Sequence, residues 1–216
     1  MGRDRKMKML VIVAFVIAIA SMSLGFAAFS SVLNISSSAT VTPNSEDFNI
    51  VFSGSETDAN VKALVPSITG SAIAENAIVG DDGISISANE IIFTEPGQKV
   101  TYYTYAHNIG KFDGYVNSVT FENVDGYDKN VVCIPDEGTS AELVQAACEG
   151  IQIGYLFPSG RGGLLEITTS SGVMTYLVGS VSSGGFFMQY GSNATRADGP
   201  FTVLFGDVVY DISTVK

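Results

Sequence analysis

The sequence predicts an all-β fold, either a sandwich or a barrel, from three observations. Runs rich in Val, Ile, Thr, Tyr and Phe recur along the chain and are separated by clusters of Gly, Pro, Asn and Asp. Charged residues make up only 15% of the 216 residues, whereas 23 residues are Gly, which is typical of a domain with many turns. No long segment has the 3.6-residue apolar period of a helix. A hydrophobic content of 46% is ample for a folded core.

The formal net charge of −11 is unevenly distributed along the chain. Arg3, Arg5, Lys6 and Lys8 lie within the first eight residues, where only Asp4 is acidic. The remaining 7 basic and 21 acidic residues give the rest of the chain a net charge of −14. Such a surface repels phosphate backbones, so the composition argues against nucleic acid as a partner.

The N-terminal segment predicts export. Residues 1–8 are basic, residues 9–20 (MLVIVAFVIAIA) are continuously apolar, and residues 21–28 are small and mixed. This is the order of a secretory signal peptide. Two positions fit the small-x-small rule for its cleavage, one after Ala20 and one after Ala27.

A retained membrane anchor is the alternative interpretation of the same segment. No charge occurs between Lys8 and Glu46, and residues 9–29 are long enough to span a bilayer. The basic flank would keep the N-terminus in the cytoplasm, so the body of the protein lies outside the cell in both cases.

The segment after the apolar run predicts an extended strand. Residues 28–42 (AFSSVLNISSSATVT) are uncharged, rich in Ser, Thr and β-branched residues, and followed by Pro43. If cleavage falls after Ala27, this strand is free at the mature N-terminus. It could then add to a sheet edge of a neighbouring copy, or it could pair within its own sheet, as sequential strands commonly do.

Short strands and turns are predicted next. Ile84, Ile86 and Ala88 alternate with polar residues, which indicates a strand with one buried face. The cluster at 80–83 (GDDG) predicts a chain reversal before it. The expected strands are 47–52, 61–65 up to Pro66, and 84–88 continuing through 91–93, while 72–79 fits either a strand or a helical turn.

Two strands rich in β-forming residues are expected after a turn at Pro96 and Gly97, which have the chemistry of a type II turn. Residues 99–106 and 115–121 are dense in Val, Thr and Tyr. A second reversal is expected between them, over residues 107–114. The pair would form either a β-hairpin or a β-arch.

One short helix is predicted, over residues 140–148 (SAELVQAAC), after a strand at 131–134. Ser140 can cap its N-terminus and Gly150 can terminate it. Its apolar residues, Leu143, Val144 and Ala147, are expected to share one face. The remaining chain predicts strands at 151–157, 164–169, 173–178 and 186–190, and a last pair at 201–205 and 208–212 with a bulge at Gly206.

Cys133 and Cys148 are the only cysteines of the chain. An even number of cysteines in an exported protein favours a disulfide, which would tie the helix to the preceding strand. Such a bridge is worth about 3 kcal/mol in the chain-entropy model. Free thiols are the alternative. Two cysteines alone cannot form a structural zinc site, which takes four ligands.

No motif predicts catalysis, a cofactor or a metal site. His107 is the only histidine, and there is no His-Glu-x-x-His. Residues 125–128 (DGYD) lack the spacing of a calcium loop and its closing Glu, so a plain turn is expected. No Gly-x-Ser-x-Gly nucleophile elbow is present. The sequence therefore indicates a protein that is not an enzyme.

Two stretches carry a resemblance to a known family. Residues 25–27 (GFA), followed by Ala28 and Phe29, have the form of a small-aromatic-Ala cleavage site before Ala-Phe. Residues 95–114 contain a Pro-Gly-x-x-Val-x-Tyr strand and an Asn-x-Gly turn. Both stretches resemble the TasA/camelysin family of secreted proteins from Gram-positive-type bacteria.

The resemblance implies a jelly-roll-like antiparallel β-sandwich at residues 46–216 with one short helix. A signal peptide at residues 1–27, cut between Ala27 and Ala28 by a dedicated signal peptidase, would precede it. The resemblance also implies assembly into extracellular biofilm fibres, in which an N-terminal segment, residues 28–45, complements the next copy. The apolar residues of this donor strand would be Phe29, Val32, Leu33, Ile35, Ala39 and Val41.

The sequence therefore predicts a non-enzymatic structural protein that is secreted to the cell surface or biofilm matrix. Its partners would be copies of itself or other matrix proteins, and it would meet the membrane only during export. The alternative is a membrane-anchored adhesin or binding module that keeps its N-terminal helix. Some family members have been called metallopeptidases, but that activity is not expected of a chain with a single histidine.

Overall fold

A computed structural model describes residues 48–88, 90–159 and 163–214, all of which belong to one compact unit. The predicted N-terminal helix, the cleavage positions at Ala20 and Ala27, and the donor strand lie outside the described residues. Within the described part, no helix is long and apolar enough to cross a membrane. In chain order the elements are β1 (Ile50–Ser53), β2 (Ala63–Leu64), β3 (Pro66–Thr69), β4 (Ile73–Ala74), β5 (Ala77–Val79), β6 (Ser85–Ser87), β7 (Ile91–Phe93), β8 (Lys99–Asn108), β9 (Gly114–Phe121), β10 (Val131–Pro135), α1 (Ala141–Cys148), β11 (Ile151–Pro158), β12 (Leu164–Thr168), β13 (Ser171–Val178), β14 (Val181–Tyr190), β15 (Phe201–Phe205) and β16 (Val208–Ser213).

The strands form three antiparallel sheets. Sheet A has the order β1-β8-β14-β11-β12, and β3 also pairs with β8, along the half of β8 that β1 does not reach. Sheet B has the order β13-β9-β16-β6-β5-β2, and sheet C has the order β10-β15-β7-β4. The predicted all-β, antiparallel fold with one short helix is confirmed.

Aromatic side chains pack between sheet A and the other two sheets. Phe52 of sheet A stacks on Tyr210 of sheet B, with ring centroids 4.0 Å apart. Tyr190 of sheet A meets Phe201 of sheet C edge to face at 5.3 Å. All four rings are buried, so one continuous core lies between sheet A and the other two sheets. This layering gives the molecule a sandwich-like architecture.

The strands predicted at residues 99–106 and 115–121 form a β-arch rather than a hairpin. β8 lies in sheet A and β9 lies in sheet B, so they do not pair with each other. The turn before β8 has Gly97 at a φ of +93°, as a type II turn requires. The reversal predicted from residue 107 is wrong in its start, because His107 and Asn108 continue β8 and pair with β1.

Strands are present in the three stretches predicted between β2 and β7, but the chain divides them differently. Pro66 is the first residue of β3, a position that proline tolerates because β3 is an edge strand. The segment at 72–79 forms two strands, β4 in sheet C and β5 in sheet B. The strand expected at 84–93 is likewise divided, because β6 belongs to sheet B and β7 to sheet C.

The last two strands do not pair, and Gly206 is not at a bulge. β15 lies in sheet C and β16 in sheet B, so the chain crosses between sheets at Gly206. A Cβ at this position would lie 2.1 Å from the carbonyl oxygen of Glu122. Glycine is required here because the crossing chain passes directly against another backbone.

The helix α1 begins and ends close to the predicted positions. Ser140 is its N-cap, and the Ser140 hydroxyl accepts a hydrogen bond from the backbone N–H of Leu143. Val144 and Ala147 are buried as predicted, but Leu143 is 38% exposed. Cys148, the last helical residue, lies at disulfide-bonding distance from Cys133 of β10, with their Cα atoms 5.9 Å apart.

Candidate functional site

The contacts of His107 indicate a structural role for this side chain. Its ring is buried in sheet A, and its Nε2 atom lies 2.9 Å from the Ser53 hydroxyl oxygen and 2.8 Å from the carbonyl oxygen of Ser55. Because a carbonyl only accepts, Nε2 donates a hydrogen to Ser55. The ring therefore fastens β8 to the loop that follows β1.

Backbone hydrogen bonds hold residues 125–128 in a turn. The backbone N–H of Tyr127 donates to the carbonyl of Val124, and the N–H of Val124 donates to the carbonyl of Lys129, each at 2.8 Å. Gly126 has a φ of +81°, which favours glycine in such a turn. This arrangement agrees with the plain turn that the sequence predicts.

A surface groove of about 490 Å³ near this turn is acidic. Carboxylates from several connections line it, together with the backbone at Gly206; they belong to Glu75, Glu90, Glu122, Asp125 and Asp207. Within the described ranges, no group of three or more His, Cys, Asp or Glu side chains is placed to hold a metal ion. The groove thus contributes to the negative surface of the molecule.

The feature that stands out as a site is an open flank of the sandwich, formed by β12 and β13. Among the described strands, β12 is the last strand of sheet A and pairs only with β11, while β13 is the last strand of sheet B and pairs only with β9. The chain passes from one to the other through residues 169 and 170. Both strands therefore end their sheets on the same side of the molecule.

Sheet B ends one strand short of sheet A on this side. The hydroxyl of Tyr155 on β11 lies directly against Gly172 of β13, where an added Cβ would be only 1.6 Å from it. β13 therefore faces β11 across the core. Among the described residues no strand pairs with the outer edge of β13 or extends sheet B opposite β12, and we call this position beside β13 the gap.

Within the part of the chain that the structure describes, no strand of sheet B lies opposite β12 at this gap. In the β11–β12 pairing, Leu165 lies opposite Phe157 and Ile167 lies opposite Tyr155. Directly opposed residues share a face of a sheet, and Tyr155 belongs to the buried core. Leu165 and Ile167 therefore point toward the core side, yet they remain 50% and 38% exposed. Both are large apolar side chains that remain exposed next to the edge of β13.

The exposed edge of β13 borders the same gap. Its side chains alternate, with Met174 and Val178 buried toward the core and Val173 and Leu177 exposed on the outer face. Its pairing with β9 shifts register between Val173 and Tyr176. An edge strand presents one row of unpaired backbone groups, which can pair with another strand.

Tyr176 contributes a neutral hydroxyl to the core beneath β13. Burial raises the pKa of Tyr176, and the neighbouring Tyr210 raises it further. Burial also raises the pKa of Tyr210. Both phenols therefore stay uncharged over the physiological pH range, and this side of the core carries no ionised side chain from either residue.

Polar contacts fix the outer face of β12. The Lys99 ammonium forms an ion pair with Glu166 and lies 4.1 Å from the centroid of the Phe187 ring. Glu166 sits between Leu165 and Ile167 in sequence and therefore points to the opposite face of the sheet. The ion pair therefore links β12 to β8, with the Lys99 side chain passing over the Phe187 ring of β14.

No protein-family model matches this chain, and no curated protein sequence matches it. The case for a function therefore depends on the geometry of the described residues and on the sequence.

Proposed function

We propose that this chain is a non-enzymatic, exported structural protein of the cell surface or biofilm matrix. It assembles by donating its N-terminal strand, residues 28–41, to the open flank of a neighbouring copy. The observation that carries this proposal is the gap beside β13, which leaves Leu165 and Ile167 exposed on the core side of β12. With one more strand in sheet B, the sandwich becomes the complete jelly-roll-like fold that the family resemblance implies.

The donor segment has the residue pattern that this gap requires. Its odd-numbered positions include Phe29, Leu33, Ile35, Ala39 and Val41, whereas its even-numbered positions are polar except for Ala28 and Val32. In a strand, alternate residues point to opposite faces. The odd-numbered residues would therefore enter the gap and cover Leu165 and Ile167, and the even-numbered residues would face solvent.

Backbone pairing and charge also support strand donation. A strand placed along β13 would satisfy the unpaired backbone groups of that edge and extend sheet B to the width of sheet A. The donor segment carries no charge, while the chain after its basic N-terminus has a net charge of −14. An uncharged strand meets no repulsion from an acidic acceptor, and it loses no ion hydration when it is buried.

Binding of a free donor peptide tests the acceptor directly. The probe is a fluorescent peptide of residues 28–41, and the acceptor is the full chain with Leu33→Asp and Ile35→Asp, so that its own segment does not compete. We expect saturable binding by fluorescence anisotropy. Adding Leu165→Asp should weaken it at least 10-fold, since a carboxylate would then face the apolar side of the peptide.

The matched control is Thr168→Asp, because Thr168 is exposed on the outer face of the same strand. This control should leave the affinity within about twofold. Equal affinity of the Leu165 variant and the control would show that the peptide does not enter the flank.

A further inference from the structure

The loop between β8 and β9 exposes two large apolar side chains in a well-defined conformation. Ile109 is 56% exposed and Phe112 is 60% exposed. The Asn108 side chain holds the loop from both sides, because its Nδ2 donates to the carbonyl of Phe112 at 2.9 Å and its Oδ1 accepts from the N–H of Gly110 at 3.1 Å. The two side chains are therefore presented by a hydrogen-bonded loop, and their exposure is a property of the fold.

This loop lies where the N-terminal segment enters the sandwich. The backbone N–H groups of Ile109 and Gly110 both donate to the carbonyl of Asn49, at 2.9 and 3.2 Å. At the end of the loop, a Cβ on Gly114 would lie 2.8 Å from the Phe48 ring. The described chain thus begins directly against the loop.

The short link to the donor segment limits how far the loop can be from an acceptor copy. Only six residues, 42–47, separate Val41 from Phe48. Even a fully extended link of this length reaches about 20 Å. When residues 28–41 of one copy occupy the flank of another, the loop of the donor copy must therefore lie beside the acceptor.

We propose that the loop at residues 109–113, which we name the junction loop, is a contact between consecutive copies. This inference rests on the strand donation proposed above. Ile109 and Phe112 of the donor copy pack on the acceptor next to its flank and shield the link from water.

The double variant Ile109→Ser/Phe112→Ser tests this inference in the full, secreted chain. We expect fibre growth, followed by light scattering and electron microscopy, to slow at least 10-fold. The matched control is Ile73→Ser/Tyr127→Ser, which removes side chains of similar exposure, 60% and 51%, from other surfaces. The control should assemble like the unsubstituted chain. Phe112→Lys serves as a second variant, with the same direction of change, if the double variant does not fold.

The peptide assay separates this inference from the proposed function. A junction-loop variant should bind the peptide of residues 28–41 with unchanged affinity, because the loop is not part of the flank. If that peptide fails to bind the acceptor chain at all, strand donation itself is wrong. If the peptide binds and the double variant still forms fibres at the unsubstituted rate, the junction contact alone is wrong. Loss of binding to phospholipid vesicles with normal fibre growth would assign the loop to a membrane surface and also overturn the proposal.

Discussion

Replacing Leu33 and Ile35 by Asp is expected to abolish fibre formation by the full chain. Both residues lie on the apolar side of the donor segment, together with Phe29 and Val41. In the proposed assembly this side faces Leu165 and Ile167 and the core beneath β13. Two carboxylates there would have no partner, at a cost of about 4 kcal/mol, which lowers the association constant about 1,000-fold.

The control for this experiment uses the other face of the same segment. Asn34→Asp and Ser36→Asp add the same two charges at even-numbered positions. In the proposed geometry these residues face solvent, so fibres should form at a similar concentration in moderate salt. Equal loss of assembly in both variants would mean that charge in the segment, and not the burial of one face, controls assembly.

Replacing Phe186 by Ala is expected to give the largest loss of monomer stability. Phe186 of β14 is fully buried at the centre of the core. Its ring stacks on Tyr102 at a centroid distance of 5.1 Å and meets Phe121 of sheet B edge to face at 6.1 Å. The substitution removes contacts within sheet A and across to sheet B and leaves a cavity, so the free energy of unfolding should fall by about 3–5 kcal/mol.

Urea denaturation followed by circular dichroism measures this effect. Phe112→Ala is the matched control, since it removes the same side chain from an exposed loop position. The control should change the free energy of unfolding by about 0.5 kcal/mol or less. A loss of under 1 kcal/mol for the Phe186 variant would contradict the core described above.

Local chemistry predicted the elements whose signals are contained in a few residues. Val, Thr and Tyr runs identified β8 and β9, and Ser140 and the apolar spacing identified α1. The spacing of Cys133 and Cys148 was compatible with a loop that brings them together. In each case the residues that predict the element lie within the element itself or directly next to it.

Sheet membership could not be predicted in the same way. After Ile86 the apolar alternation changes phase and resumes at Ile91 and Phe93, which fits either a bulge within one strand or a crossing to another sheet. Gly206 is likewise suited to a bulge and to a crossing, because both need a residue without a Cβ. The choice depends on distant partners, such as the backbone of Glu122 against Gly206.

The open flank could not be predicted from the sequence for a related reason. Leu165 and Ile167 alternate with Glu166 and so predict an ordinary strand with one buried face. Their exposure depends on the absence, among the described residues, of a strand opposite β12. That absence follows from the order of the strands in sheets A and B. The proposal of a donor segment, by contrast, starts from its composition and its position after the apolar run.

Cross-linking between two copies tests strand donation most directly. The acceptor is a full-length chain with Val173→Cys, on the exposed outer side of β13. The donor is a full-length chain with a cysteine in place of Asn34, Ser36 or Ser38, which face solvent in the proposed assembly. Neighbouring strands bring opposed Cα atoms to about 4.5–5.5 Å, within disulfide range. The proposal predicts a mixed disulfide between the two chains for at least one of the three positions, and none when the acceptor cysteine is placed at Thr168 instead. Fibres that form without any link to position 173 would contradict it.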